Sequence, residues 1–257
     1  MKAKKPLVLV TNDDGISAPG IRTLIAIMSE IAEVVVVAPD KPQSAMGHAI
    51  TVNSTLTLNK TSKENDAILE YECSGTPADC VKMAVSVVLK RKPDLCVSGI
   101  NHGSNSSINV IYSGTMSAAI EAGMDGIPAI GFSLCDFSWN ANFEATKKYI
   151  KNIVEQVLKN GLPLGTVLNV NFPNISEKEI KGIKICRQAK AVYEENFDKR
   201  TSPFGKEYYW LSGSFVNLDK GEDTDEWALA NNYVSIVPIQ FDLTAHHAIS
   251  FLNSWEF

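Results

Sequence analysis

Two adjacent aspartates, Asp13 and Asp14, follow the apolar run Leu7-Val8-Leu9-Val10-Thr11 and precede Gly15. Neighbouring carboxylates repel each other unless they point apart or a positive charge sits between them. At the end of a buried strand, a hard divalent cation supplies that charge. The plainer use of Asp-Asp-Gly is a turn and helix cap, but two further polar loops follow apolar runs of the same kind. Val34 to Ala38 leads into Asp40-Lys41-Pro42-Gln43-Ser44 and on to His48. Leu95 to Ser98 leads into Gly99-Ile100-Asn101-His102-Gly103 and then Tyr112-Ser113-Gly114-Thr115. Ser44 and Asn101 are the neutral oxygen ligands that would complete a magnesium- or manganese-like site with Asp13 and Asp14, leaving positions for water and a phosphate oxygen. Ser113, Gly114 and Thr115 open a helix whose free N–H groups and hydroxyls suit a phosphate; an ordinary Ser/Thr cap is the alternative. His48 and His102 lie in these loops as candidate substrate contacts, whereas His246 and His247 are expected at a helix start or on the surface.

The chemistry expected of such a set is metal-assisted phosphoryl transfer to water, with hydroxyl and N–H donors stabilising the charge spread over the phosphate oxygens. Asp13 and Asp14 are both candidates for the catalytic base. A loop histidine or solvent could protonate the leaving group. A covalent aspartate nucleophile would call for Asp-x-Asp, and the intervening residue is missing. A protein that senses nucleotides without turnover is the reading from another class. Neither a G-x-G-x-x-G after the first strand nor a G-x-x-x-x-G-K-[ST] occurs, which argues against dinucleotide and P-loop sites. There is also no G-x-S-x-G elbow.

The elements that must position these loops are legible in the hydrophobic pattern. Leu7–Thr11 is a short apolar run of a buried strand, and Pro19 opens a helix with Ile21, Leu24, Ile25 and Met28 on one face. With the strand over 34–38 this makes a βαβ unit. Thr76-Pro77-Ala78-Asp79 caps a helix expected to run to about Leu89. A strand over 95–98, a small-residue helix over 115–122, a strand over 129–132, a helix over 143–158 and a strand over 167–170 continue the alternation. The fold class is therefore α/β, a doubly wound and mainly parallel sheet. Residues 50–72 alternate as paired strands would. Residues 181–238 form a β-rich extension whose aromatics suit an intersubunit surface, before a helix over 245–255. The expected division is a catalytic core over 1–180 and an oligomerising extension over 181–257.

The chain has 257 residues, a formal charge of −5, 45% hydrophobic and 21% charged residues, ordinary for a globular protein. An acidic balance argues against binding duplex nucleic acid, and no apolar run is long enough for a membrane helix. The five scattered cysteines are expected as buried free thiols, and the protein as cytoplasmic.

Val10-Thr11-Asn12-Asp13-Asp14-Gly15-Ile16 with Ala18-Pro19-Gly20-Ile21 closely resembles the opening of the SurE family, the stationary-phase survival proteins that are 5′/3′-nucleotidases. Val37-Ala38-Pro39-Asp40, Gly75-Thr76-Pro77-Ala78-Asp79-Cys80-Val81, Ser98-Gly99-Ile100-Asn101 and Val110-Ile111-Tyr112-Ser113-Gly114-Thr115 extend the resemblance. Tyr208-Tyr209-Trp210 and Tyr233 to Pro238 carry it through the C-terminal half. It implies a SurE-like homodimer or higher homo-oligomer with one magnesium or manganese ion per subunit, its ligands matching Asp13, Asp14, Ser44 and Asn101. It also implies that Asn12 and the Ser113-Gly114-Thr115 turn line the phosphate pocket. The substrates implied are nucleoside 5′- or 3′-monophosphates, with short polyphosphate a further candidate. His48 stands where the family's common Gly-Ala-Ser-Asn pattern places an asparagine.

Overall fold

Leu7 and Leu9 point to one face of the first strand while Val8 and Val10 point to the other, so β1 (Leu7–Thr11) must be covered on both sides. In the computed structural model, which describes residues 5–64 and 66–256, both sides are covered by helices. α1 (Pro19–Ile31) and α4 (Lys147–Asn160) place Ile21, Leu24, Met28, Ile150 and Val154 against Val8, Val10, Val34 and Val36. On the opposite face α2 (Pro77–Met83) and α3 (Gly114–Met124) bring Cys80, Val81, Met116 and Ala119 against Leu7, Leu9, Val35 and Val37. Each fully buried aliphatic side chain contributes about 1.5–3 kcal/mol, so these two layers hold the sheet edge rigidly.

The main sheet has nine strands. They are β1, β2 (Glu33–Pro39), β3 (Leu58–Lys60), β4 (Leu69–Cys73), β5 (Leu95–His102), β6 (Ala129–Leu134), β7 (Thr166–Phe172), β8 (Gly182–Ile185) and β11 (Tyr233–Gln240), in the order β3-β4-β2-β1-β5-β6-β7-β11-β8. β4, β2, β1, β5, β6 and β7 run parallel; β3 is antiparallel to β4 and β11 to β7. The division expected at residue 180 runs through this sheet, because β11 sits between β7 and β8 in full register. β9 (Ala191–Thr201) and β10 (Glu207–Asn217) form a separate two-stranded hairpin, with Tyr209 and Trp210 mostly exposed. Two short helices, α5 (Asp225–Ala230) and α6 (His246–Leu252), complete the chain.

Several boundaries differ from the sequence pattern. α2 is α-helical only to Met83, where a π-helical turn over Ala84–Val88 replaces the expected continuation to Leu89. The β-branched Val85, Val87 and Val88 favour helix weakly. Of the strands expected over 50–72, only β3 and β4 pair; 51–57 is irregular because Thr51 is drawn onto Asp79 instead. β5 runs beyond Ser98 across a register shift, so Asn101 and His102 lie in its last turn of sheet, paired to Ser133 and Leu134, not in a loop. The helix expected from Phe143 begins as a 3-10 turn at Glu144 and becomes α4 at Lys147. All five cysteines are free thiols. No helix among the described residues is long and apolar enough to cross a membrane.

Candidate active site

The chain winds from β1 outward to β2 on one side, then returns to place β5 on the other. At such a switch point the loops after the two central strands diverge and leave a crevice at their carboxyl ends. Asp13 and Asp14 leave β1 there, facing the end of β5.

Asp13 is 5% exposed. Its Oδ1 accepts a hydrogen bond from Thr115 Oγ1 at 2.5 Å, and the Thr115 backbone N–H also donates to the Asp13 carboxyl group. Gly114 permits this approach: a Cβ at that position would lie 2.7 Å from Asp13 Cβ and 2.9 Å from Oδ2. Burial, reinforced by the charge of Asp14, pushes the Asp13 carboxyl up to about 7 against the bonds from Thr115. Asp14 turns the other way. Its Oδ2 accepts from the His102 backbone N–H at 3.2 Å and lies 2.9 Å from His102 Nδ1. Among the described residues no lysine or arginine pairs with either aspartate.

The other predicted residues divide. Asn12 is fully buried; its Nδ2 donates to Gly15 O at 2.9 Å while its Oδ1 has no partner. Asn101 donates through Nδ2 to Gly103 O at 2.8 Å, leaving Oδ1 as its free acceptor. Ser113 caps α3, accepting from Met116 N at 3.0 Å, so its hydroxyl proton remains available as a donor. Ser44 is exposed, and no hydrogen bond among the described residues joins it to the cluster. Its loop is nonetheless fastened to the site by Gln43 N donating to Asp13 O at 2.7 Å. Further along, Gly47 N donates to Tyr112 O at 3.1 Å.

His48 pairs away from the aspartates. Its Nε2 lies 2.7 Å from Glu121 Oε2 on α3, and Lys82 holds the other Glu121 oxygen. His48, against the effect of burial, and then Lys82 keep the Glu121 carboxyl below its ordinary value. His48 and Ser113 line the mouth of a cavity of about 750 Å³ between α3 and the end of β11, with Ile120, Met124, Phe241 and Leu243. His246 opens α6, exposed and 3.1 Å from Asp242 Oδ2.

Two supports were not visible in the motifs. Asp79, which caps α2, accepts from Thr51 N and Oγ1 at 3.0 and 2.6 Å and from Thr76 N at 2.9 Å, anchoring the long loop that carries Ser44 and His48. Asp225, fully buried on α5, accepts from Ser107 N at 2.7 Å and Ala189 N at 2.9 Å, bracing the segment between β5 and α3. The loop after β6 also follows a parallel strand at the same sheet edge.

A cation fits these donors. Two carboxylates with no lysine or arginine paired to them among the described residues, a buried amide oxygen without a partner, and an Asp13 carboxyl driven up by burial and by the charge of Asp14 all favour a hard ion with oxygen ligands. Among the described residues there is no group of three or more His, Cys, Asp or Glu side chains placed to hold a metal ion, so a site built only from those ligand types is not formed. The neutral oxygens of Asn12, Asn101 and Ser44 are what remain to complete the shell.

Known proteins share this architecture and sequence. The family described as Survival protein SurE matches residues 8–195. A Flavobacterium johnsoniae protein named 5′-nucleotidase SurE is 72% identical over 256 residues, spanning 100% of this chain and 99% of that protein. One of the same name from Thermoanaerobacter sp. is 45% identical over 97% of this chain and 98% of its own length. The crystal structure of a SurE protein from Aquifex aeolicus superposes with a TM-score of 0.83 at 41% identity, covering 96% of this chain and 98% of that one. The chain belongs to the SurE family.

Proposed function

We propose, from its place in the SurE family, that this chain is a 5′-nucleotidase: a phosphomonoesterase that releases phosphate from nucleoside monophosphates with one divalent ion, magnesium or manganese, per subunit. The observation that carries the metal-dependent reading is the Asp13–Asp14 pair at the switch point, where Asp13 is buried and, among the described residues, no lysine or arginine pairs with either carboxylate. Asp13 and Asp14 would hold the ion with Ser44 and Asn101. When bound, the ion supplies Lewis-acid charge beside the phosphate and favours deprotonation of water.

The chain's own residues do the rest. The N-terminus of α3 presents partial positive charge to a phosphate, and Ser113 has a hydroxyl proton to donate. Thr115 acts on Asp13, to which its hydroxyl and N–H are both directed. His102, bonded to Asp14, fixes the orientation of that carboxylate. Asn12 offers its unpartnered oxygen at the floor of the crevice.

Hydrolysis of 3′-monophosphates and of short polyphosphate extends the same reading. So do homo-oligomerisation through the exposed aromatics of the β9–β10 hairpin, where Trp210 is 64% exposed, and a cytoplasmic location, supported by five free thiols.

The test is phosphate release from a panel of nucleoside monophosphates after removal of metal by chelation, then with magnesium or manganese restored. Turnover should vanish and return. Asp13→Asn and Asp14→Asn should each lower it by more than about a hundredfold, beyond the effect of changing a ligand's supporting partner, with circular dichroism unchanged. Full turnover in the presence of chelator would refute the metal assignment.

A further inference from the structure

The loop after β6, residues 135–143, reaches the sheet edge beside the loop after β5, because β6 pairs with β5. It carries two large aromatics. Trp139 lies parallel to the His102 ring, with centroids 5.6 Å apart and planes 9° apart, and Phe143 meets the same ring edge-on at 5.1 Å. Phe137 lies against Gly103, where a Cβ would stand 2.3 Å from its Cε1. The missing Cβ of Gly103 is therefore what admits the Phe137 ring. Phe143 is buried, as a core residue should be, but Trp139 is 56% exposed and Phe137 81% exposed.

Trp139 is thus held by one face on a histidine that is itself bonded to Asp14, and it remains largely open. An open aromatic separated from the reactive carboxylates by a single imidazole suits a substrate with a flat ring at one end and a phosphate at the other. The large cavity offers a different environment. No residue of the 135–143 loop lines it, and its wall combines Ser117, Ile120 and Met124 of α3 with Arg187, Gln240 and Phe241.

We propose that Trp139 and Phe137 form the platform on which the nucleobase of the substrate stacks while its phosphate occupies the Asp13–Asp14 end of the crevice. The proposal rests on the nucleoside monophosphate reading and adds to it the means of base recognition. Stacking accepts every base because each has a π-face, and it favours purines, whose ring system is larger. The substrate class is therefore purine nucleoside monophosphates ahead of pyrimidine ones, with little hydrogen-bond discrimination.

The experiment compares adenosine 5′-monophosphate with glycerol phosphate in the wild type, Trp139→Ala, Phe137→Ala, Trp139→Phe and Phe241→Ala. Trp139→Ala should raise KM for the nucleotide about tenfold, roughly 1.4 kcal/mol. Its KM for glycerol phosphate should change by less than about twofold, since that substrate has no ring to stack. Trp139→Phe should retain most of the nucleotide affinity. Equal losses on both substrates would overturn the proposal, by showing that Trp139 acts only through packing on His102. An unchanged nucleotide KM would overturn it too, and a rise confined to Phe241→Ala would move the base to the cavity. Calorimetry of adenosine 5′-monophosphate binding needs no turnover. Binding that weakens in Trp139→Ala, in a wild type that releases no phosphate, would refute the hydrolase reading and leave the platform standing; undiminished binding would remove the platform.

Discussion

Thr115 Oγ1 donates to Asp13 Oδ1 across 2.5 Å, tying the start of α3 to the end of β1. A hydrogen bond to a charged group contributes about 1.5–3 kcal/mol, and this one favours the ionised form that a cation requires. Thr115→Val keeps the shape and removes the donor. Manganese affinity, measured by calorimetry, should fall roughly tenfold or more, the range that follows from such a bond. Thr115→Ser should restore most of it. Equal affinities in wild type and Thr115→Val would show that the bond does not support ion binding.

The raised carboxyl of Asp13 makes the metal-free protein sensitive to pH in a definite direction. Its folded value, about 7, lies above the ordinary carboxyl value of 3.8 that holds in the unfolded chain. The folded state therefore holds a proton there more tightly than the unfolded state does. The stability this contributes is complete below the unfolded value and is lost as pH rises through about 7. Thermal unfolding of chelated protein should show Tm falling between pH 5 and pH 8 more steeply than in Asp13→Asn. Adding magnesium or manganese should raise Tm more at pH 8 than at pH 6, because the ion competes with the proton. A metal-induced rise independent of pH would contradict the assignment.

The parallel core was legible because its strands are unbroken apolar runs and Pro19 and Pro77 mark helix starts directly. Asp13, Asp14 and the Ser113–Thr115 turn could be placed at one sheet edge from the sequence because the loops after parallel strands gather there. The direction in which a loop side chain turns is a different matter. His48 reaches Glu121 through a contact 73 residues distant, and no local pattern encodes such a pairing. Asp225 looks like an acid in a helix's first turn, yet it is fully buried and braces Ser107, 118 residues away. β11 escaped assignment to the main sheet because its antiparallel pairing with β7 is set by a long connection, which hydrophobic periodicity does not report.

Asp225 gives the third prediction. It accepts from Ser107 N, Ala189 N and Glu226 N, so Asp225→Asn turns an amide NH2 toward a backbone donor. Leaving one buried donor unsatisfied costs about 1–3 kcal/mol. Chemical denaturation should register that loss. The affinity for inorganic phosphate should also fall, because the segment from Ser104 to Tyr112 delivers Ser113 to its place. Manganese affinity should change little by comparison, since Asp13 and Asp14 belong to other elements. Equal weakening of ion and phosphate binding would show a general loosening instead.

Asp79 supplies the last. Burial alone would raise its carboxyl, but the bonds from Thr51 and Thr76 prevail and hold it below the ordinary carboxylate value. A group with a depressed folded value contributes stability that is present above its unfolded value and is lost as pH falls through the folded one. Asp79→Asn removes that contribution and one of the acceptors for Thr51 and Thr76. It should therefore destabilise the protein at pH 7 by about 1–3 kcal/mol, with a smaller difference from wild type in strong acid, where both side chains are neutral. The same substitution releases Thr51, and with it the loop of Ser44 and His48. Proteolysis under native conditions should then cut within residues 41–57 several times faster than in the wild type. If stability falls but cleavage of that loop does not quicken, Asp79 caps α2 without anchoring the loop.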